Sequence, residues 1–414
     1  MIKEAIILAG GLGTRLRDTV PDLPKCMAPV AGKPFLFYVI NHLRSQGIEK
    51  FIFSLGYKHE FVEEYLLTEF STLSYTCVIE QEPLGTGGAI LLASESASEE
   101  HVIVTNGDTL FAVELTTASD FHFKANAVCT LMLKPMQEID RYGIVDTDEN
   151  NCIVGFQEKK YYPSATINGG VYILDINKFK NASGDLKFSF EKDYLEKNFG
   201  QGSFYGLEQN AYFIDIGIPE DYTRAQKELQ KPRWDLRNID HTWSVFIDRD
   251  GVINEQKEGG YILNWGEFRF LPDVKNALEI LSDKFGRIVV ISNQRGVGKG
   301  LMSEASLNDI HQKMKDEVVL ANGRIDEIFY CTSIENCHPD RKPNPGMAYR
   351  AKKSFPEINF SKTIMIGNKL SDMYFAQHAG VYAIFLSTTN PEVAFPHPII
   401  DDRYASLFDF AKQL

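Results

Sequence analysis

The chain has 414 residues, with 43 Lys and Arg against 56 Asp and Glu, so its formal net charge is −13. At roughly 150 residues per domain this length accommodates two or three domains, each with a core of its own. The acidic balance works against adhesion to nucleic acid or anionic lipid, the 24% charged and 44% hydrophobic content suits a folded enzyme rather than a disordered chain, and the apolar runs are too short for a membrane span or a signal-peptide core. A cytoplasmic protein that binds neither nucleic acid nor membrane is the expectation. The six cysteines (Cys26, Cys77, Cys129, Cys152, Cys331, Cys337) fall mostly within apolar runs and read as reduced core residues.

From Glu4 onward short apolar runs alternate with helix-period segments, which indicates an α/β sheet with parallel strands. The first strand is Ala5 to Ala9. Leu36, Val39, Ile40 and Leu43 mark a helix, Phe51 to Leu55 a strand, and Phe61 to Phe70 a second helix. Strands at Tyr75 to Ile79 and His101 to Thr105 each run into a polar or Gly-rich turn, the place where open α/β sheets bind ligands. From Val128 to Leu174 the pattern is strand-rich, with Tyr142 to Asp146 and Cys152 to Gln157 separated by a turn at Asp148 to Asn151, and suggests a β-rich substrate lobe. A last helix runs from Pro219 to Gln230.

Lys231 to Asp240 has a proline, mixed charge and no period, and reads as a linker between a first domain at 1–230 and a second at 241–414. The second domain has strands at Val245 to Ile247, Ile288 to Ile291, Ile328 to Tyr330, Thr363 to Ile366 and Tyr382 to Leu386, with helices at Val274 to Phe285 and Leu307 to Leu320.

Two constellations carry chemistry. In Leu8-Ala9-Gly10-Gly11-Leu12-Gly13-Thr14-Arg15-Leu16 a strand runs directly into glycines that let backbone amides approach a nucleotide closely. It is neither a dinucleotide fingerprint nor a Walker loop, because Leu16 stands where the former needs glycine and no Gly-Lys followed by Ser or Thr occurs here. Pro24-Lys25 and Gly32-Lys33-Pro34 then bring two cations near the same loop.

These motifs resemble the sugar-1-phosphate nucleotidyltransferases over almost the whole first block. The resemblance makes Gln81-Glu82-Pro83-Leu84-Gly85-Thr86-Gly87-Gly88 a second nucleotide loop, Asn106-Gly107-Asp108 a metal-binding strand end and Asp215 a second metal ligand. It also makes Glu158-Lys159 a sugar-phosphate pair and Asn168-Gly169-Gly170 a sugar-binding turn. Gly10, Gly11, Gly13, Thr14, Gln81, Gly85, Thr86 and Gly87 are then expected on the nucleotide, and Asn106, Glu158, Lys159, Asn168 and Gly169 on the sugar phosphate. In such a reaction a sugar 1-phosphate oxygen attacks the α-phosphorus of a nucleoside triphosphate, so the crowded negative charge must be neutralised. Arg15 and Lys25 suit that task, with Asp108 and Asp215 as hard oxygen ligands for Mg²⁺. Asp140-Arg141-Tyr142-Gly143 and Phe213 to Tyr222 look most like the D-glycero-D-manno-heptose 1-phosphate guanylyltransferases, which implies GTP and heptose 1-phosphate as substrates.

In the second constellation, Asp248-Arg249-Asp250-Gly251 follows a strand, a second strand ends in Ser292-Asn293-Gln294, Arg341-Lys342-Pro343 supplies basic residues, and a fourth strand ends in Gly367-Asn368-Lys369-Leu370-Ser371-Asp372. This set resembles the haloacid-dehalogenase phosphatases, in particular those of heptose bisphosphate and histidinol phosphate, and implies a Rossmann-like domain without a separate cap. Asp248 is then the nucleophile and Asp250 the acid and base. Ser292 and Lys342 face the phosphoryl oxygens, Asn293 and Arg341 bind substrate, and Asp248, Asp250, Asn368 and Asp372 form the Mg²⁺ site. The family normally has Asp where Asn368 stands, which removes one charge while leaving an amide oxygen able to coordinate. Relatives also carry a zinc loop, but here only Cys331 keeps its place beside Cys337-His338-Pro339-Asp340, and structural zinc is not expected.

Joined, the halves imply a bifunctional enzyme that dephosphorylates heptose 1,7-bisphosphate and activates the 1-phosphate as a nucleotide sugar. Two alternatives stay open: a transferase with a catalytically silent regulatory phosphatase-like domain, and a fusion with a histidinol-phosphate phosphatase. A homo-oligomer is compatible with either.

Overall fold

The computed structural model describes residues 2–11, 16, 19–157, 160–182, 186–230 and 235–414, with residue 201 by its backbone alone. The chain divides into two compact units, Met1–Gln230 and Lys231–Leu414.

In the first unit, runs of apolar residues become buried strands: β1 (Glu4–Leu8), β2 (Lys50–Leu55), β3 (Ser74–Ile79) and β4 (His101–Asn106). They lie side by side in the order β4-β1-β2-β3, every pair parallel, joined by helices α1 (Phe35–Ser45), α2 (His59–Glu69) and α3 (Gly85–Ser94). Helix α1 shows why: Phe35, Leu36, Val39, Ile40 and Leu43 recur at helical spacing and are all buried. Then follow β5 (Thr109–Phe111), α4 (Leu115–Lys124), β6 (Cys129–Ile139), β7 (Ile144–Thr147), β8 (Ile153–Gln157), β9 (Tyr162–Asp175), β10 (Phe204–Glu208), β11 (Phe213–Asp215) and α5 (Pro219–Glu228). Strand β9 runs antiparallel to both β4 and β6, so the sheet is mixed and not parallel throughout. Strands β11 and β5 form a separate antiparallel pair that sets Asp215 opposite Thr109.

Two segments differ from the sequence reading. Leu84 to Gly88 was expected as a loop, but Gly85 opens α3, because Ile90 and Ala93 are fully buried in the core and the tertiary packing outweighs the low helix propensity of glycine. Asn168-Gly169-Gly170 was expected as a turn, but it lies inside β9. Its turn chemistry survives only as an irregularity, a register shift between Asn168 and Tyr172 with Gly170 at φ +71°.

The second unit holds β12 (Ser244–Ile247), α6 (Val274–Lys284), β13 (Arg287–Asn293), α7 (Glu304–Leu320), β14 (Glu327–Cys331), α8 (Gly346–Ser354), β15 (Thr363–Gly367), α9 (Leu370–Ala379), β16 (Tyr382–Leu386), β17 (Asp402–Tyr404) and α10 (Leu407–Ala411). The sheet order is β14-β13-β12-β15-β16-β17, every pair parallel. Both faces are covered, as a parallel sheet requires: Val245 and Ile247 point into one core and Phe246 into the other. Asp248, Asn293 and Asn368 therefore gather at the carboxyl ends of three neighbouring strands. Within the segment read as a linker, Leu236–Asn238 forms a single turn, and Leu236 and Ile239 pack against the second unit's core. No helix among the described residues is long and apolar enough to cross a membrane.

Leu281 of α6 is fully buried against the sheet, so Leu281→Ala should cost the second unit about 2–5 kcal/mol. All three tryptophans, Trp234, Trp243 and Trp265, belong to this unit, and a urea titration followed by their fluorescence will show the earlier midpoint. An unchanged midpoint contradicts the packing.

Candidate active sites

In the first unit the carboxyl ends of β1, β2 and β4 surround a cavity of about 850 Å³ lined by Gly10, Gly11, Lys25, Gln81, Asn106, Asp108 and Asp215. Gly10 is glycine for a steric reason: a β-carbon there would lie 2.8 Å from Glu80 Oε1 and 3.1 Å from the Gly56 backbone nitrogen. Lys25 projects from the short turn Lys25–Met27, and its Nζ lies 2.6 Å from Asp108 Oδ2 and 3.3 Å from Asp215 Oδ1. Burial works against the ammonium charge, but the two carboxylates overcome it and hold the Lys25 pKa above the ordinary lysine range. Burial also pushes the Asp215 carboxyl upward against the pull of Lys25. The pairing of β11 with β5 and the bond from Ile216 N to Asp108 O bring the two aspartates together.

Other expected nucleotide and sugar residues have different surroundings. The Thr86 hydroxyl donates to Glu191 Oε2 at 2.8 Å and accepts from Phe190 N at 2.9 Å. Gly87 faces the Phe188 ring, which a β-carbon would strike at 2.2 Å, and its amide donates to the Phe188 carbonyl. The Gly87 and Gly88 amides of α3 are thus capped by Phe188, and Gly85 and Thr86, but not Gly87, line the cavity wall. Asn168 is likewise committed, its Nδ2 donating to the Tyr172 hydroxyl and its Oδ1 accepting from Gly170 N, while Gly169 packs on Phe111. Gly13, Thr14, Arg15, Glu158 and Lys159 lie outside the described residues. Glu80, which stands next to the second glycine loop, and Gly56 and Tyr57, which carry no motif, also line the cavity. The signal for Gly56 and Tyr57 was available, since they follow the apolar run of β2.

In the second unit Lys342 is the centre. Its Nζ lies 2.8 Å from Asp248 Oδ1 and 2.7 Å from Asp372 Oδ1, and donates to the Ile291 carbonyl at 2.8 Å. These three side chains are 2%, 7% and 1% exposed. One ammonium between two buried carboxylates leaves an excess of negative charge, and burial with Asp372 nearby holds the Asp248 carboxyl above its usual range despite Lys342. Asn293 anchors this lysine by a reciprocal pair of bonds, Nδ2 to Lys342 O and Lys342 N to Oδ1, both 3.1 Å. Its amide is committed to the backbone, unlike the free substrate contact expected of it.

Asp250 is held differently. Arg249 reaches back to its carboxylate at 2.8 Å, and Asn254 and Gln294 each donate at 3.0 Å. Burial penalises this carboxylate, but Arg249 and the other donors outweigh that and set its pKa below the usual range. Gln294 also donates to Ser292 Oγ at 2.7 Å. His311 of α7 lies 3.2 Å from Arg249 Nη1, and burial together with that guanidinium keeps its pKa down at about 3. Arg249 and Gln294 stand within the two motifs but carry no assigned role in the sequence; for His311 no local signal exists. Arg341 is 8% exposed and donates to the Ser333 carbonyl. Cys331 Sγ lies 3.6 Å from His338 Nδ1, and Cys337 is exposed.

Asn368 is fully buried. Its Nδ2 donates to Thr389 Oγ1 at 2.5 Å and lies 3.4 Å from Gln256 Oε1, whereas its Oδ1 has no hydrogen-bond partner among the described residues. A buried carbonyl oxygen left in that state at the strand end next to Asp248 fits a hard cation. So do the convergent carboxylates of Asp108 and Asp215 in the first unit. Asp372 contributes differently, with Oδ1 against Lys342 and Oδ2 accepting from Lys369 N at 3.0 Å.

Residues 4–232 match the Nucleotidyl transferase family and residues 245–383 the Polynucleotide kinase 3 phosphatase family. The D-glycero-alpha-D-manno-heptose 1-phosphate guanylyltransferase of Aneurinibacillus thermoaerophilus is 53% identical over 227 residues, which cover 55% of this chain and 98% of that protein. The protein of the same name from Campylobacter jejuni is 42% identical over 219 residues, covering 53% of this chain and 96% of its own length. Of the solved structures, HddC from Yersinia pseudotuberculosis complexed with GMP-PN matches with a TM-score of 0.50 at 34% identity, over 55% of this chain and 100% of the other.

Because Thr86 spends its hydroxyl on Glu191 and Phe190, Thr86→Val should lower the stability of the first unit by about 1–3 kcal/mol. The unit has no tryptophan, so the loss is read from urea unfolding by far-ultraviolet circular dichroism. An unaltered midpoint would show the hydroxyl is not committed in this way.

Proposed function

Because this chain belongs to the nucleotidyl transferase family, we propose that its first unit transfers GMP from GTP to a heptose 1-phosphate, and that its second unit makes this 1-phosphate by hydrolysing a heptose 1,7-bisphosphate. The observation that carries the reading is the same in both units: one lysine bridging two aspartates, Lys25 with Asp108 and Asp215, and Lys342 with Asp248 after β12 and Asp372 in the first turn of α9. The guanylyltransferase relatives named above support guanine and heptose for the first unit, and the phosphatase match supports phosphate-ester hydrolysis by the second.

In the transfer, an oxygen of the sugar 1-phosphate attacks the α-phosphorus of GTP and pyrophosphate leaves. Lys25 stands where the triphosphate enters and offsets its charge, and Arg15 and Lys159 are assigned the same task for the two substrates. In the hydrolysis, Asp248 attacks phosphorus and forms an aspartyl-phosphate; Asp250 gives a proton to the leaving sugar oxygen, then takes one from the water that frees phosphate. Lys342 holds Asp248 in place and Ser292 faces the phosphoryl oxygens. Asp108 and Asp215 would hold Mg²⁺ in the first unit, and Asp248, the Asp250 main-chain carbonyl and Asn368 Oδ1 in the second, where the ion supplies positive charge against the phosphoryl oxygens. The orphaned Oδ1 of Asn368 favours an active over a silent second unit.

Asp108→Ala or Asp215→Ala should abolish pyrophosphate release from GTP and heptose 1-phosphate while phosphate release from heptose 1,7-bisphosphate continues, and Asp248→Asn should do the reverse. Phosphate release that survives Asp248→Asn, or favours histidinol phosphate, refutes the second half. Transfer at the wild-type rate in either alanine variant refutes the first.

A further inference from the structure

An amide in a metal site carries a difficulty that a carboxylate does not. A carboxylate offers an oxygen on either arm, whereas an amide offers one oxygen and one NH₂, and rotation by half a turn presents hydrogens to the cation instead of a lone pair. A site that relies on Asn368 therefore needs something that distinguishes the two ends of its side chain.

The loop after β16 supplies it. Thr389 Oγ1 accepts from Asn368 Nδ2 at 2.5 Å and from Asn390 Nδ2 at 2.9 Å, so both of its lone pairs are occupied by amide donors. Asn390 Nδ2 also donates to the Asn368 main-chain carbonyl at 2.7 Å, and Thr388 Oγ1 to the Gly251 carbonyl at 2.5 Å, tying the loop to both strand ends. Gln256 turns its Oε1 toward the same Nδ2 at 3.4 Å. The NH₂ lies over Gly251, at φ +90°, where a β-carbon would come within 2.1 Å of it. Both hydrogen-bond partners of Nδ2 are thus acceptors, and Oδ1 has no hydrogen-bond partner among the described residues.

We infer that Thr389, aided by Gln256, is a positioning residue that orients the Asn368 amide with its oxygen toward the cation and so lets an amide serve as a metal ligand there. The inference rests on the phosphatase reading of the second unit. It also alters the expectation for Asn368→Asp, because a carboxylate has no wrong end and frees the site from its dependence on Thr389.

The test is Mn²⁺ binding, read by the electron paramagnetic resonance of the free ion, in the full chain carrying Asp108→Ala and Asp215→Ala to silence the first unit. Binding lost on Asp248→Asn defines the site. Thr389→Val should weaken this binding roughly 10- to 100-fold, Thr389→Ser should retain it, and in the Asn368→Asp background Thr389→Val should leave it unchanged. Equal weakening in both backgrounds indicates a general structural role and overturns the inference, as does Thr389→Val with no effect. Should Thr389→Val fail to fold, Gln256→Leu on an exposed residue reads the same coupling: weaker binding with Asn368 and none of that loss with Asn368→Asp, the inference failing if the two backgrounds respond alike. Mn²⁺ binding indifferent to Asp248→Asn overturns the metal site itself and the inference with it.

Discussion

Each unit depends on a single ammonium shared between two aspartates that the chain brings from distant positions. Two carboxylates and one lysine leave an excess of negative charge, which a proton or a further cation balances. The two arrangements differ in solvation. Lys342 and its partners are between 1% and 7% exposed, whereas Lys25, Asp108 and Asp215 are 16%, 31% and 27% exposed. Removing one member of a buried pair costs about 3–5 kcal/mol because the remaining charge stays uncompensated. Lys342 is therefore part of what holds the second unit's site together, while separating Lys25 from its aspartates, nearer to water, costs less.

Strand topology makes these meetings possible. In the second unit Asp248 and Asn368 follow adjacent parallel strands, β12 and β15, and Lys342 is fixed from the other side by Asn293 at the end of β13. In the first unit Asp108 leaves the end of β4, and the two-stranded pairing of β5 with β11 delivers Asp215 beside it. The parallel strands supply the floor of each site, and a short antiparallel pair or a lysine-bearing loop supplies the partner.

The apolar strands were legible in the sequence because they are continuous runs, and burial on both sheet faces demands continuity. The candidate site residues were proposed for the same local reason: Asp248 and Asp250 share one turn, and Gly10 and Gly11 one loop. What escaped is what depends on partners far along the chain. Gly85 to Gly88 carry a loop signal, yet buried Ile90 and Ala93 pull them into a helix whose Gly87 and Gly88 amides Phe188 caps. Asn168 to Gly170 carry a turn signal, yet the pairing with β6 on both sides of them keeps the strand running. Glu191 lies 105 positions from Thr86 and His311 62 positions from Arg249, and no local pattern marks either.

Charge explains why an amide at position 368 is physically reasonable. Asp248, Asp250 and Asp372 already place three carboxylates in this pocket against the two cations Lys342 and Arg249. An aspartate at a fully buried position would add a fourth, and without a bound cation its desolvation would be costly. The amide avoids that penalty in the metal-free protein and gives up part of the attraction for the ion. It also makes orientation matter, since only one of its two polar ends can coordinate a cation. The loop from Thr388 to Asn390 thereby becomes part of the site: it ties the Gly251 backbone to the Asn368 backbone and gives the NH₂ an acceptor of its own. Neutrality at position 368 and the hydroxyl at 389 are two halves of one solution to a pocket with too many carboxylates.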